Sequence, residues 1–193
     1  MNYRTFSVVG ISGILLAIGS ISVLAYAAVW RIETTDGFSF KYPTTWDLEE
    51  RENRINSISA TLDYDRGGNY GQILFEHYDP DLSESIQSSE NVVQNMETVL
   101  TNVYDGARIY ETATDKYVIN NQSAPYVLAK FSRSTLLGIE HDYVVMAIVI
   151  NLGANDVIFA QYISAENDFN KLLGTAEQIF HSVKSVGAVE TLI

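Results

Sequence analysis

The segment Tyr143 to Leu152 reads YVVMAIVINL, apolar at every position but Asn151 and without alternation. A strand wetted on one face alternates apolar with polar residues, so one that does not alternate is covered on both faces. The chain therefore needs a three-layer arrangement, with something packed above and below the sheet that holds this segment. Two stretches have the pattern to supply the outer layers. Val92, Val93, Met96, Val99, Leu100 and Val103 line one side of a predicted helix that stops at Gly106. Phe169, Leu172, Leu173, Ala176, Ile179 and Phe180 make the apolar stripe of a last helix, with Ser164 as its expected N-cap.

The remaining segments read as strands joined by short turns. Phe38 to Tyr42 alternates with period two and stops at Pro43. Ile58 to Tyr64 and Tyr70 to Tyr78 flank the turn Asp65-Arg66-Gly67-Gly68-Asn69. Ala107 to Thr112 and Lys116 to Ile119 are expected as two short strands, and Asn120-Asn121 turns the chain into Ala124 to Ser132. Gly153-Ala154-Asn155-Asp156 turns the apolar run into Val157 to Ile163. Hairpin connections imply an antiparallel sheet, so the expected class is α/β (α+β), with that sheet flanked by helices.

Ahead of this body, Phe6 to Trp30 carries no charge, with Arg4 before it and Arg31 after it. The run exceeds the ~20 residues a helix needs to cross a bilayer. It reads either as an uncleaved anchor, with Tyr26 and Trp30 as interfacial aromatics, or as a signal cut after Ala25-Tyr26-Ala27. Both readings export residues 31–193, and the anchor reading makes the protein a single-pass protein of the cell membrane with an extracytoplasmic domain. Gly10, Gly13, Ala17, Ser20, Leu24 and Ala27 line one side of that helix, and five of the six are small. Small residues let helices approach closely in lipid, so the stripe is a candidate contact with other membrane subunits. The exported body holds all 24 acidic residues, against 11 basic ones. Such a surface repels phosphate backbones and speaks against a nucleic-acid partner. The absence of cysteine removes disulfides, thiol catalysis and Cys-type metal sites.

The stretch Phe38-Ser39-Phe40-Lys41-Tyr42-Pro43-Thr44-Thr45-Trp46 resembles the opening of the PsbP-like domains, which are related in fold to Mog1 and DcrB. In that group an aromatic-rich strand runs into Tyr-Pro, two residues and then Trp. The order of hairpins, middle helix, late long hairpin and closing helix with Phe180-His181-Ser182-Val183-Lys184 is similar too, over about residues 36 to 185. The resemblance implies an α/β/α sandwich around an antiparallel sheet. It also implies an extracytoplasmic accessory or assembly role beside a larger complex.

Candidate chemistry is sparse. His77 has Asp79 and Asp81 nearby, and His141 lies between Glu140 and Asp142. These are ligand types for zinc or manganese, although neighbours on a strand point to opposite faces. Asp63 and Asp65 beside the Gly-Gly turn lack the ligand order of a calcium loop. His181 suits the negative end of the last helix. Asn121-Gln122-Ser123 is a sequon in a turn, which makes Asn121 a possible glycan acceptor. No nucleophile elbow, His-Glu-x-x-His, Walker loop or dinucleotide fingerprint occurs, so no enzyme activity and no cofactor are expected. Three functions compete: a non-enzymatic accessory or assembly subunit of a membrane complex, an extracytoplasmic metal or small-ligand binder, and a surface-filament subunit.

Overall fold

The apolar run lies in the eighth strand of the fold and is covered on both sides. The computed structural model describes residues 29–35, 37–54, 57–66, 68–78, 92–134, 138–153 and 156–186. Among them the order is β1 (Trp30–Thr34), β2 (Phe38–Pro43), β3 (Asp47–Arg54), β4 (Ser57–Arg66), β5 (Asn69–Tyr78) and α1 (Val92–Val103). Then come β6 (Arg108–Ile119), β7 (Gln122–Ser134), β8 (Glu140–Gly153), β9 (Asp156–Ala165), α2 (Glu166–His181) and β10 (Lys184–Ser185). The class is α+β with antiparallel sheets.

A seven-stranded sheet has the order β3-β4-β5-β9-β8-β7-β6. It joins two meanders, β3-β4-β5 and β6-β7-β8-β9, through the antiparallel pair β5/β9, where Gly71 faces Ser164. A second sheet of three strands, β1-β2-β10, packs with α2 over one face of the first. Alternate residues of β8 then serve opposite cores. Val144, Met146, Ile148 and Ile150 join β2 and α2 residues, while Val145, Ala147 and Val149 meet Met96 and Leu100 of α1. α2 thus packs its stripe on one side of the sheet, as expected, whereas α1 buries Met96 and Leu100 on the other, with Val92 and Val93 partly buried, and leaves Val99 and Val103 of the expected stripe exposed.

Local chemistry sets several boundaries. Asn120 and Asn121 have φ of 53° and 62° between the paired residues Ile119 and Gln122. Both central positions of such a two-residue hairpin need positive φ, and asparagine tolerates it. The stretch expected as two short strands is one strand, β6, whose register slips between Ala113 and Tyr117. A bulge there absorbs the polar Thr114-Asp115 without ending the strand. Ser164 is not the cap of the last helix. It belongs to β9, fully buried, and α2 begins after Ala165 without a side-chain cap.

Ser164 instead serves the neighbouring strand. Its hydroxyl donates to the Tyr70 carbonyl at 2.5 Å, and the Asp168 carboxylate accepts the Tyr70 N–H at 3.1 Å. Tyr70 lies just past the last β5/β9 pair, so these side chains replace a ladder that has ended. Asp168 also accepts from Lys171 at 2.7 Å, and that bond first, then the Tyr70 N–H, holds its carboxyl below the usual carboxylate range. A depressed folded value means stability that is present at neutral pH and lost as pH falls through that value. Asp168→Asn should therefore lower stability by about 1–2 kcal/mol at pH 7. The gap between the two proteins should start to narrow below the unfolded value of about 4 and close below the depressed folded value, where both carry a neutral side chain. Denaturant titrations across that range check it, and a gap that does not shrink in acid would remove the charge from the explanation.

Among the described residues no helix is long and apolar enough to cross a membrane. The uncharged run up to Ala28, with the stripe Gly10, Gly13, Ala17, Ser20, Leu24 and Ala27, lies outside the described residues.

Candidate functional site

The two histidine groups singled out in the sequence lie apart. His77 faces Ile158 on β9, which in turn faces Ile150 on β8, whereas His141 is nine positions earlier on β8. At strand spacing that is about 30 Å. His77 Nε2 lies 2.5 Å from Asp156 Oδ1, with 15% and 29% of the two side chains exposed. Its ring also meets Phe38 edge-on at 5.7 Å. At the other end, Asp142 accepts from Ser132 at 2.6 Å, while Glu140 and His141 are exposed and face Ser134 and Arg133. Asp79 and Asp81 lie outside the described residues. Among the described residues no group of three or more His, Asp or Glu is placed to hold a metal ion. Asp63 accepts from Gln72 across the β4/β5 hairpin. Asn121 is exposed at its turn, and His181 is exposed in the last turn of α2.

The structure brings together a different set of residues, on the face shared with α2. A groove of about 370 Å³ runs between the β6-β7 side of the sheet and α2. Its floor is apolar, from Leu128, Val144, Met146, Phe169 and Leu173. Its rim is two ion pairs. Lys116 donates to Glu111 at 2.7 Å, and Lys130 donates to Glu166 at 2.5 Å. Tyr126 is buried, with its hydroxyl donating to Glu111 and accepting from Lys116 at 3.0 Å. The Lys116 ammonium also sits 4.9 Å from the Tyr126 ring centroid.

This network fixes the charge states. Hydrogen bonds from Lys116, then Tyr126, hold the Glu111 carboxyl below its usual range. The bond to Glu111 pushes the Lys116 ammonium up, and Glu166 does the same for Lys130. Burial first, then the Glu177 carboxylate 2.7 Å away, pushes the Tyr117 phenol up. That Tyr117–Glu177 bond ties β6 to α2 across the groove. The groove thus sets an apolar floor beside phenols, carboxylates and ammoniums that are already engaged with one another.

Sequence reasoning missed this groove. Glu111 and Lys116 are five positions apart and meet because the β6 slip lies between them. The readable signal was the cluster Tyr110, Glu111, Lys116 and Tyr117 opposite Tyr126 and Lys130, once strands 108–119 and 122–134 are paired.

No protein-family model matches the chain, and no curated protein matches it. Several solved structures are similar in fold, two of them as follows. One is LpqN of Mycobacterium tuberculosis, involved in cell envelope biogenesis, at 14% identity and a TM-score of 0.41, over 86% of this chain and 96% of that one. The other is the Ran-binding protein Mog1p of Saccharomyces cerevisiae, at 8% identity and a TM-score of 0.47, over 81% of this chain and 95% of that one. At these identities and scores neither likeness bears on what this chain binds or does.

Proposed function

We propose that the chain is a non-enzymatic accessory subunit of a membrane protein complex, held by one N-terminal span with its domain outside the cytoplasm. The observation that carries this reading is the junction at Trp30. The uncharged run reaches Trp30, and Trp30 is already the first residue of β1 and packs on the main core. The part that precedes β1, Phe6 to Val29, still exceeds the ~20 residues of a span. With no spacer between span and fold, the domain is held at the bilayer surface, where it meets subunits of the same membrane. The groove beside α2 offers such a subunit an apolar floor with donors and acceptors at its rim.

Extraction of the full chain in mild detergent, followed by native mass analysis, tests the reading. Co-purifying membrane subunits support it, and a lone monomer or a homopolymer overturns it. The small residues of the run add a sharper expectation. Gly13→Leu with Ala17→Leu keeps the segment apolar, so insertion should survive, while close helix packing is lost. Co-purification of the partners should then fall by about ten-fold or more, with the protein still in the membrane fraction. Unchanged co-purification would assign the partners to the outer domain alone.

A further inference from the structure

We infer that the outward face of the small sheet is a membrane-contact surface that lays the domain on phospholipid headgroups. The inference rests on the N-terminal span proposed above and adds an orientation to it. In β2, Phe38, Phe40 and Tyr42 point into the core, so Ser39 and Lys41 point away from it. Residues paired across strands share a face. Ile32 and Thr34 of β1 face Lys41 and Ser39, and Lys184 of β10 also faces Ser39. The outward face therefore presents Ile32, Thr34, Ser39, Lys41 and Lys184, with no carboxylate among these positions.

Two features of this face stand out against the rest of the molecule. The chain has five lysines, and three of them are ion-paired, to Glu111, Glu166 and Asp168. The other two are Lys41 and Lys184, which form no ion pair with a described residue and share this one face. Ile32, 67% exposed, is on this face, and Val29, 68% exposed, lies at its edge just before β1; among the described residues no large apolar side chain is more exposed than these two. Val29 is held beside the sheet by the bond from the Thr44 N–H to its carbonyl, at 2.8 Å.

The occupant follows from position and charge. The N-terminal stretch outside the described residues ends at Ala28, so the patch begins where the uncharged run stops. A span made by that run delivers Val29 and Ile32 to the headgroup level. Exposed aliphatic residues flanked by lysines are the composition that binds an interface carrying phosphate. The body has 24 acidic residues against 11 basic ones, so an anionic surface repels its other faces and turns this one toward itself.

The test uses the full chain, which has no cysteine to interfere. Ile32→Cys and, as the control on the far side of the large sheet, Val99→Cys each carry an environment-sensitive fluorophore. The proteins are reconstituted into phosphatidylcholine vesicles containing phosphatidylglycerol and nitroxide-labelled lipid. After an alkaline carbonate wash, the label at position 32 should be quenched about three-fold or more beyond the label at 99, because the surface lies within the headgroup layer. Each lysine near an anionic surface is worth about five-fold in occupancy, so Lys41→Glu with Lys184→Glu should bring the two labels level. Equal quenching at both positions in a protein that survives the wash overturns the face while leaving the span. Release by the wash overturns both. Strong quenching at 32 that ignores the lysine reversals overturns the role of charge.

Discussion

Phe40→Ala should be the most damaging single truncation in the domain, lowering stability by about 3–5 kcal/mol. Phe40 is 1% exposed and sits in the core where the small sheet, the large sheet and α2 meet. Its ring lies 4.7 Å from Phe75 of the large sheet and 5.8 Å from Phe38 of the small one. Phe75 in turn meets Phe180 of α2 edge-on at 6.1 Å. Removing Phe40 leaves a ring-sized void between elements held in place by backbone ladders and by each other, so the site cannot collapse to fill it. The aromatic pair contribution of about 0.5–1.5 kcal/mol is lost as well. For a domain of this size the midpoint should fall by roughly 10 °C. Val99→Ala, on the exposed side of α1, should stay within about 0.5 kcal/mol. Thermal and denaturant unfolding of both variants in mild detergent checks the pair. A loss below about 1 kcal/mol for Phe40→Ala would mean that the small sheet is not part of the cooperative fold.

The cover on both faces of the large sheet was partly legible beforehand. Tyr143 to Leu152 announced cover on both faces because an apolar, non-alternating strand has no wetted side, and β8 feeds both cores. The stripe of α2, Met96 and Leu100 within that of α1, and the alternation of β2 were legible for the same reason: burial imposes a period on the side chains, whereas Val99 and Val103 of the expected α1 stripe are exposed. What lacked such a period was not legible. β3 reads DLEERENR, with nothing apolar after Leu48, and is a strand because β4 offers it a ladder at the sheet edge. Ser164 carried a valid local cap signal, yet β8 pairs with β9 as far as Ala165, and the ladder overrode it. Trp30 looked like the end of a membrane run, while its pairing with Pro43 makes it the start of a sheet. The groove depended on a strand slip, and the two histidine groups on which end of the sheet each strand begins. Neither property is local, so neither leaves a spacing in the sequence.

Gly37→Ala should cost about 3 kcal/mol, large for the addition of one methyl group, and about half of that should vanish when His77 is also shortened. Gly37 has φ of +104°, a conformation that disfavours a side chain, and this contributes about 1–2 kcal/mol by itself. A comparable share comes from His77. A Cβ at position 37 would lie 2.4 Å from the imidazole Cε1 and 2.8 Å from Nδ1. The ring cannot step aside freely, because its Nε2 is held by Asp156 at 2.5 Å and its other side meets Phe38. In the His77→Ala background the methyl group has room, so only the backbone strain should remain. The two substitutions should then be non-additive by about 1–2 kcal/mol, as expected for groups in direct contact. Equal costs of Gly37→Ala with and without His77 would show that the strain is entirely in the backbone. A second readout separates contact from general weakening. The Gly37 carbonyl accepts the Val186 N–H at 2.9 Å, just past β10, so a shifted Gly37 loosens the strand that closes the small sheet. Amide exchange at Val186 should accelerate in Gly37→Ala before exchange in β8 does, since local opening precedes global unfolding. His77→Ala should restore protection at Val186 only if the imidazole is what pushes the turn.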